Sequence, residues 1–284
     1  MEHGEENIAL VVFTWLAPLS VGAAIPLVMV HGGGTSTTPE WAGLVPLAVG
    51  LLALASSLLH LGRPERAVWA TVRISSSWLS REVVLFGLFL LCLALAQLPL
   101  WESPLGRAAD LLAPTATVLG LLSLASTGQV YRLRSRPAWD HWSTTLSFPV
   151  EALSSGLLLG IAFAGASADL AGGLAAAVSA LSLAAAVALT LVRSLRLHGG
   201  SAEHSAAWKL VAGRYRWALA LRVAGCAVAL LLLPSGSTRG LAWIPAALAS
   251  LGDRVLFFYG VVPISFSAKQ IAMDRGSASG RRLE

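Results

Sequence analysis

Charge is what this sequence has least of. Only 12% of its 284 residues are Asp, Glu, Lys or Arg, against about 25% in a typical soluble domain. With 56% hydrophobic residues and a mean hydropathy of +0.71, too few polar side chains remain to cover a water-facing surface. That excludes an ordinary soluble enzyme and a disordered chain. A nucleic-acid binder is excluded too, because the net charge of +5 calls for a membrane explanation in so apolar a chain. Cysteine is equally scarce. Cys92 and Cys226 stand alone in apolar runs, so there is no disulfide framework. Nor does the chain by itself hold an iron–sulfur cluster, which takes about four thiolates. Paired histidines are missing as well. His31 falls on the opposite face from His60, and His3, His141, His198 and His204 fall in loops or at the terminus. No two share a depth within helices, which argues against a bis-histidine haem. Walker, GxSxG and HExxH motifs are absent. The start, MEHGEEN, is acidic where a signal peptide would be basic, so the first apolar run reads as a retained helix.

What the chain has in abundance is long apolar runs. Eight of them, about 8–30, 42–61, 79–100, 111–132, 145–166, 170–192, 213–233 and 241–266, approach the ~20 residues a membrane helix needs. Gly32-Gly33-Gly34, Gly62 with Pro64, Ser103-Pro104, Arg136-Pro137, Gly199-Gly200 and Pro234-Ser235-Gly236 mark breaks between them. Residues 1–284 therefore read as a single integral membrane domain. The expected fold is an all-α membrane protein with eight transmembrane helices, grouped as two four-helix bundles. Only 62–78 and 193–212 are long enough to form surface structure. Gly and Ala crowd the sixth run, from Ala171 to Ala177, and suit close helix packing.

Eight spans put both termini on one face. Sixteen of the 20 Lys and Arg residues fall on that face. Arg107 and Arg239 fall on the other, and Arg222 and Arg254 lie within spans. The positive-inside rule then places the termini and basic loops in the cytoplasm, in a cell (inner) membrane. The basic face suits anionic lipid and a docking partner alike.

An ionisable residue in a span costs about 2.5–3.5 kcal/mol on insertion scales and points to function. His60 closes the second run and Glu82 opens the third, so they share a depth just inside the basic interface. A histidine and a carboxylate there suit proton exchange with a two-electron, two-proton carrier such as a quinol. The plainer reading is two helix caps: an imidazole at a C-terminus, and an acid in the first turn after an N-cap at Ser80. Glu151 reads as near the interface and Arg222 as snorkelling or paired. Asp253 and Arg254 are adjacent and so point to different sides of their helix, which argues against a direct pair between them. Trp41, Trp69, Trp78, Trp101, Trp139, Trp142, Trp208 and Trp243 fall at run edges, as an aromatic belt requires. Trp15 lies inside a span, where an aromatic can line a quinone slot or simply pack.

The order of motifs resembles a known family. Ser56–Ala67, SSLLHLGRPERA, resembles the His-Leu-Gly-x-Pro-x-Arg-Ala signature of the dimethyl sulfoxide reductase membrane-anchor subunits. Ser77–Glu82, SWLSRE, resembles that family's Ser-x-Leu-Ser-x-Glu entry to the third helix. Val130-Tyr131 with Pro137-Ala138-Trp139 is similar to its fourth-helix exit, and Asp253–Tyr259 to its eighth-helix Gly-Arg-x-x-Phe-Tyr. Two positions depart: Ser250 stands where the family often has Glu, and Phe258 where it has Tyr. The resemblance implies eight helices, no haem, and a bound quinol or quinone (menaquinone or ubiquinone). It implies an iron–sulfur subunit docked nearby that exchanges electrons with a molybdopterin catalytic subunit, so the catalytic centre belongs to a partner protein. His60 and Glu82 match the family's quinol positions. Tyr131 and Arg254 match motif positions and, with Arg81 and Trp15, are candidate site lining. The best-known anchors turn this face to the periplasm; the charge count here turns it to the cytoplasm, with the partners docking there. The alternative is a small-solute or ion transporter, whose ionisable residues would gather near the midplane at broken helices.

Overall fold

A computed structural model describes residues 2–31, 40–59, 69, 71–97, 111–164 and 170–264. Its described residues are helical or in turns, with no strand among them. Each of the eight apolar runs forms a helix. In order they are α1 (Glu2–His31), α2 (Leu44–Leu59), α3 (Trp78–Ala96), α4 (Leu112–Val130), α5 (Trp142–Ala164) and α6 (Leu170–Gly199). After α6 come the surface helix α7 (Ala202–Ala212), then α8 (Arg216–Leu232), the single turn α9 (Gly236–Arg239) and α10 (Trp243–Tyr259). Four stretches, Ile8–Val28, Trp78–Ala96, Trp142–Ala164 and Gly173–Gly199, are long and apolar enough to cross a bilayer. A fifth crossing arises if α7 and α8, bent by 69° at their junction, count as one. Of the others, α2 has 16 residues and α10 has 17. Helix α4 is long enough, but its Ser, Thr and Gln lower its hydropathy. Several of these hydroxyls bond back to the preceding turn: Thr117 to the Ala113 carbonyl at 3.0 Å and Ser126 to that of Leu122 at 2.9 Å.

Some boundaries differ from the sequence expectation. Helix α6 runs on to Gly199 through about a third of the expected surface stretch, because nothing before Gly199-Gly200 breaks it. Helix α10 ends at Tyr259 on Gly260, short of residue 266. The third helix is capped by Ser77, not Ser80: the Ser77 hydroxyl accepts from the Ser80 N–H at 3.3 Å. Glu82 therefore sits about 6 Å along α3, past its first turn.

Two of the core clusters share α5. Phe13, Ala17 and Val21 of α1 pack with Phe86, Phe89 and Leu93 of α3, Leu124 of α4, and Phe148 and Ala152 of α5. Further along α5, Leu157, Leu158 and Ile161 pack with Leu183 of α6, Cys226 and Ala229 of α8, and Ala246 and Ala249 of α10. Helix α1 seats on α5 through glycine: a Cβ on Gly22 would stand 2.0 Å from the Ala152 carbonyl oxygen and 2.6 Å from the Gly156 Cα. The loop after α4 and the residues after α10 meet at one end, where the Ile264 N–H donates to the Ser135 carbonyl at 2.9 Å. Arg132, Arg136, Arg193 and Arg196 lie at this basic end, close to His141, Trp139 and Asp253.

His141 caps α5 there, its Nδ1 accepting from the Ser143 N–H at 3.3 Å. Burial pushes its imidazole below the ordinary histidine value, and the Arg196 and Arg132 guanidiniums push the same way. A histidine held low in the fold stabilises it above the unfolded value, and that contribution is lost as pH falls through the folded value. Lowering the pH from about 7 to about 5 should therefore lower the melting midpoint of the purified protein. His141→Asn, which caps without titrating, should flatten that dependence; an unchanged pH slope in the variant would contradict the cap.

Candidate functional site

Two polar groups are buried among the helices near the basic end. The first is built on Glu82. Its side chain is 6% exposed, and Oε1 accepts from the Thr127 hydroxyl of α4 at 2.8 Å. The Ser123 hydroxyl donates to the Glu82 backbone carbonyl at 3.3 Å, so one face of α4 holds both ends of this residue. Tyr131 follows Thr127 by four residues on that same face. Its ring is parallel to Phe148 of α5 at 6.0 Å and meets Trp139, Phe257 and Phe258 edge-on at 5.4 Å. On the Phe148 ring lies the Arg254 guanidinium, 4.4 Å from the centroid. Thr127, Tyr131 and Phe148 thus form a continuous bridge from Glu82 to Arg254.

The second group surrounds Asp253. Its Oδ1 accepts from Arg193 through a short ion pair and from the Thr190 hydroxyl at 3.3 Å; its Oδ2 accepts from Arg254 Nη2 at 2.9 Å. Arg222 Nε stands 3.9 Å from the same Oδ1 and donates to the Thr190 hydroxyl at 3.3 Å. Arg222 Nη2 forms a close ion pair with Glu151 Oε1. Glu151, Arg222, Asp253 and Arg254 are all at most 2% exposed. The network joins α5, α6, α8 and α10. Directly after Glu151, residues Ala152–Gly156 form a π-helical turn, and the Ser154 and Ser155 hydroxyls donate to the Glu151 carbonyl at 3.3 and 2.9 Å. Such widened turns are frequent at functional positions.

Glu82, Tyr131 and Arg254 are thus brought together, although they come from three separate motifs. His60 follows α2 and lies outside the described residues. Arg81 is on the surface, where it braces the preceding turn by donating to the Ile74 and Ser75 carbonyls at 2.9 and 2.7 Å and covers the Trp78 ring. Trp15 spends its indole N–H on the Ala247 carbonyl at 2.9 Å, tying α1 to α10 in a separate cluster with Leu19, Ala23 and Trp243.

Three readings of single residues are corrected. Asp253 and Arg254 pair directly, because the long arginine side chain curls back over a distance that adjacent Cβ directions do not decide. Glu151 is not interfacial: it is 1% exposed and partnered by Arg222, which is paired rather than snorkelling. Trp139 is not a belt residue: it is 4% exposed, stacks on Phe257 at 4.9 Å and donates to the Phe257 carbonyl at 2.8 Å. Trp69, Trp78 and Trp142 are exposed as a belt requires. Sequence reasoning missed Thr127, Thr190 and the inward role of Arg193. The available signal was a hydroxyl within an apolar helix at the depth of a charge.

Removing one member of a buried pair leaves the other charged and unpartnered, a loss of about 3–5 kcal/mol, whereas removing both is far milder. Arg222→Met should therefore strongly depress the melting midpoint in detergent, and adding Glu151→Leu should recover most of it. Equal midpoints for the single and double variants would show that the pair is not coupled.

Comparison with known proteins finds relatives of this protein. One relative is the third chain of the anaerobic dimethyl sulfoxide reductase of Haemophilus influenzae. The two are 28% identical over 173 residues, a match covering 57% of this protein and 60% of that one. A second is the YnfH chain of an Escherichia coli anaerobic dimethyl sulfoxide reductase, 30% identical over 177 residues and covering 57% and 59%. A third is the corresponding subunit of the sulfite dehydrogenase of Allochromatium vinosum, 31% identical over 132 residues and covering 42% and 41%. The matched segments thus span about 40–60% of these relatives. The family model of the DMSO reductase anchor subunit (DmsC) matches residues 1–260, and the chain belongs to that family.

Proposed function

We propose that this protein anchors a molybdopterin oxidoreductase complex to the cell membrane. In this reading it binds a quinol or quinone at the basic end and exchanges electrons with an iron–sulfur partner. The observation that carries it is the buried Glu82 carboxyl, held by Thr127 one turn from Tyr131. A carboxyl at that depth accepts a proton from a quinol hydroxyl as electrons leave. Oxidation of one quinol releases two protons and two electrons. His60, at the matching motif position, takes the second proton, and the electrons pass to the partner's iron–sulfur centre. The half-buried Tyr131 ring offers an apolar wall to the planar head. No haem takes part in this scheme. The catalytic molybdopterin subunit lies beyond the iron–sulfur subunit.

In the same proposal the eight helices are eight spans in two groups of four. The termini and basic loops face the cytoplasm, and the partner subunits dock on that face. Proton exchange on the same side as the electron acceptor makes turnover electroneutral. The second reading, a small-solute or ion transporter, gains one observation: Glu151 lies deep in α5 beside a widened turn. Against it, three arginines outnumber the two carboxylates there, which disfavours cation passage.

In membranes containing the whole complex, Glu82→Gln and His60→Ala should each lower quinol-linked turnover about 100-fold, the range expected for loss of an acid–base group. Assembly and dye-linked activity of the catalytic subunit should be retained. Normal quinol turnover in both variants would contradict the site.

A further inference from the structure

The Asp253 network is incomplete as it stands. Glu151 Oε2, Ser250 Oγ and Arg254 Nε and Nη1 are buried and have no hydrogen-bond partner among the described residues. Their side chains are 1%, 0% and 0% exposed. Ser250 and Arg254 stand four residues apart, on one face of α10. Arg222 links Glu151 to Asp253, and Asp253 holds Arg254. The unmet atoms are complementary: two N–H donors, a carboxylate acceptor and a hydroxyl that can act as either. Leaving each unmet destabilises the fold, because a buried donor or acceptor has lost its water partner and gained no other. Three guanidiniums against two carboxylates repel a metal cation, and Glu151 repels an anion. Water satisfies donors and acceptors together, and buried waters typically make about three such bonds.

A second observation says where water enters. At the basic end a cavity of about 40 Å³ is lined by Thr190, Arg193, Ser194 and Asp253 and by a larger apolar set that includes Trp139, Leu197, Leu256 and Phe257. At about 10–15 Å³ for each water, it holds roughly three. Arg193, which closes it, is 13% exposed. The cavity thus brings water to Asp253, which pairs with Arg254 and is linked through Arg222 to Glu151.

We propose that Glu151, Ser250 and Arg254 enclose a bound-water site, fed from the basic end through the cavity at Asp253 and Arg193. A polar inlet then reaches Glu151, about 14 Å along α5 from its first residue. The widened turn after Glu151 loosens the helix where the site requires room. This inference is independent of the quinone reading, since it needs neither a quinone nor a partner protein.

The test uses the full-length protein in detergent or vesicles, with Cys92→Ala and Cys226→Ala as background. Ser250→Cys, Ser194→Cys and Ser20→Cys are compared by the infrared S–H band on transfer to heavy water. Ser194 lines the cavity; Ser20 is fully buried and bonded to the Pro46 carbonyl at 2.7 Å. The Ser250→Cys band should exchange as fast as that of Ser194→Cys and about tenfold faster than that of Ser20→Cys, because a hydrated thiol exchanges with solvent and a dry one does not. Exchange no faster than Ser20→Cys overturns the inlet. Ser250→Ala provides a second measurement. In a hydrated site it removes a water partner and lowers the melting midpoint; a raised midpoint, expected on deleting an orphaned hydroxyl from a dry site, also overturns it.

Discussion

Five charged side chains in an apolar interior set the terms for this structure. Glu151, Asp253, Arg193, Arg222 and Arg254 come from α5, α6, α8 and α10, and each charge is stable there only against an opposite one. The ion pairs therefore fix these four helices in rotation and depth, something that contacts among Leu and Ala leave loosely specified. Helix α5 carries the constraint across the molecule. Its Phe148 and Ala152 pack with α1, α3 and α4, while its Glu151 belongs to the ion network. The close seat of α1 on α5 at Gly22 and Gly156 transmits the same registration to the other group.

The candidate quinol site depends on that registration. Glu82 is held from α4, and the Tyr131 ring extends the arrangement to Phe148 and then to Arg254. A shift of α10 along its axis would carry Arg254 off the Phe148 ring. Asp253 thus holds Arg254 over the Phe148 ring as well as countering its charge.

The helices were legible in the sequence because apolar length is a direct physical requirement of a bilayer, and all eight runs became helices. Their ends were less legible. Ser77 takes the cap expected of Ser80, and α6 continues until glycine stops it. Glu82, Tyr131 and Arg254 were readable as candidates because ionisable and aromatic residues stand out in apolar runs. Their pairings were not readable. Arg222 and Glu151 lie 71 positions apart, and no local spacing connects them. The Asp253–Arg254 pair escaped a rule built on Cβ directions because arginine is long enough to turn back. Trp139 looked like a belt residue from its place at a run edge, but the loop after α4 folds inward and buries it on Phe257. The motif around His60 lies outside the described residues, so that half of the proposed site rests on sequence alone.

In the proposed reading this protein works as a subunit whose redox metal sits in its partners. Purification of the tagged protein from its own membranes in mild detergent, with metal analysis and identification of co-purifying proteins, tests that most directly. An iron–sulfur subunit and a molybdenum- or tungsten-containing subunit should co-purify in stoichiometric amounts. A metal-free protein purifying alone, from membranes in which it is abundant, would contradict it.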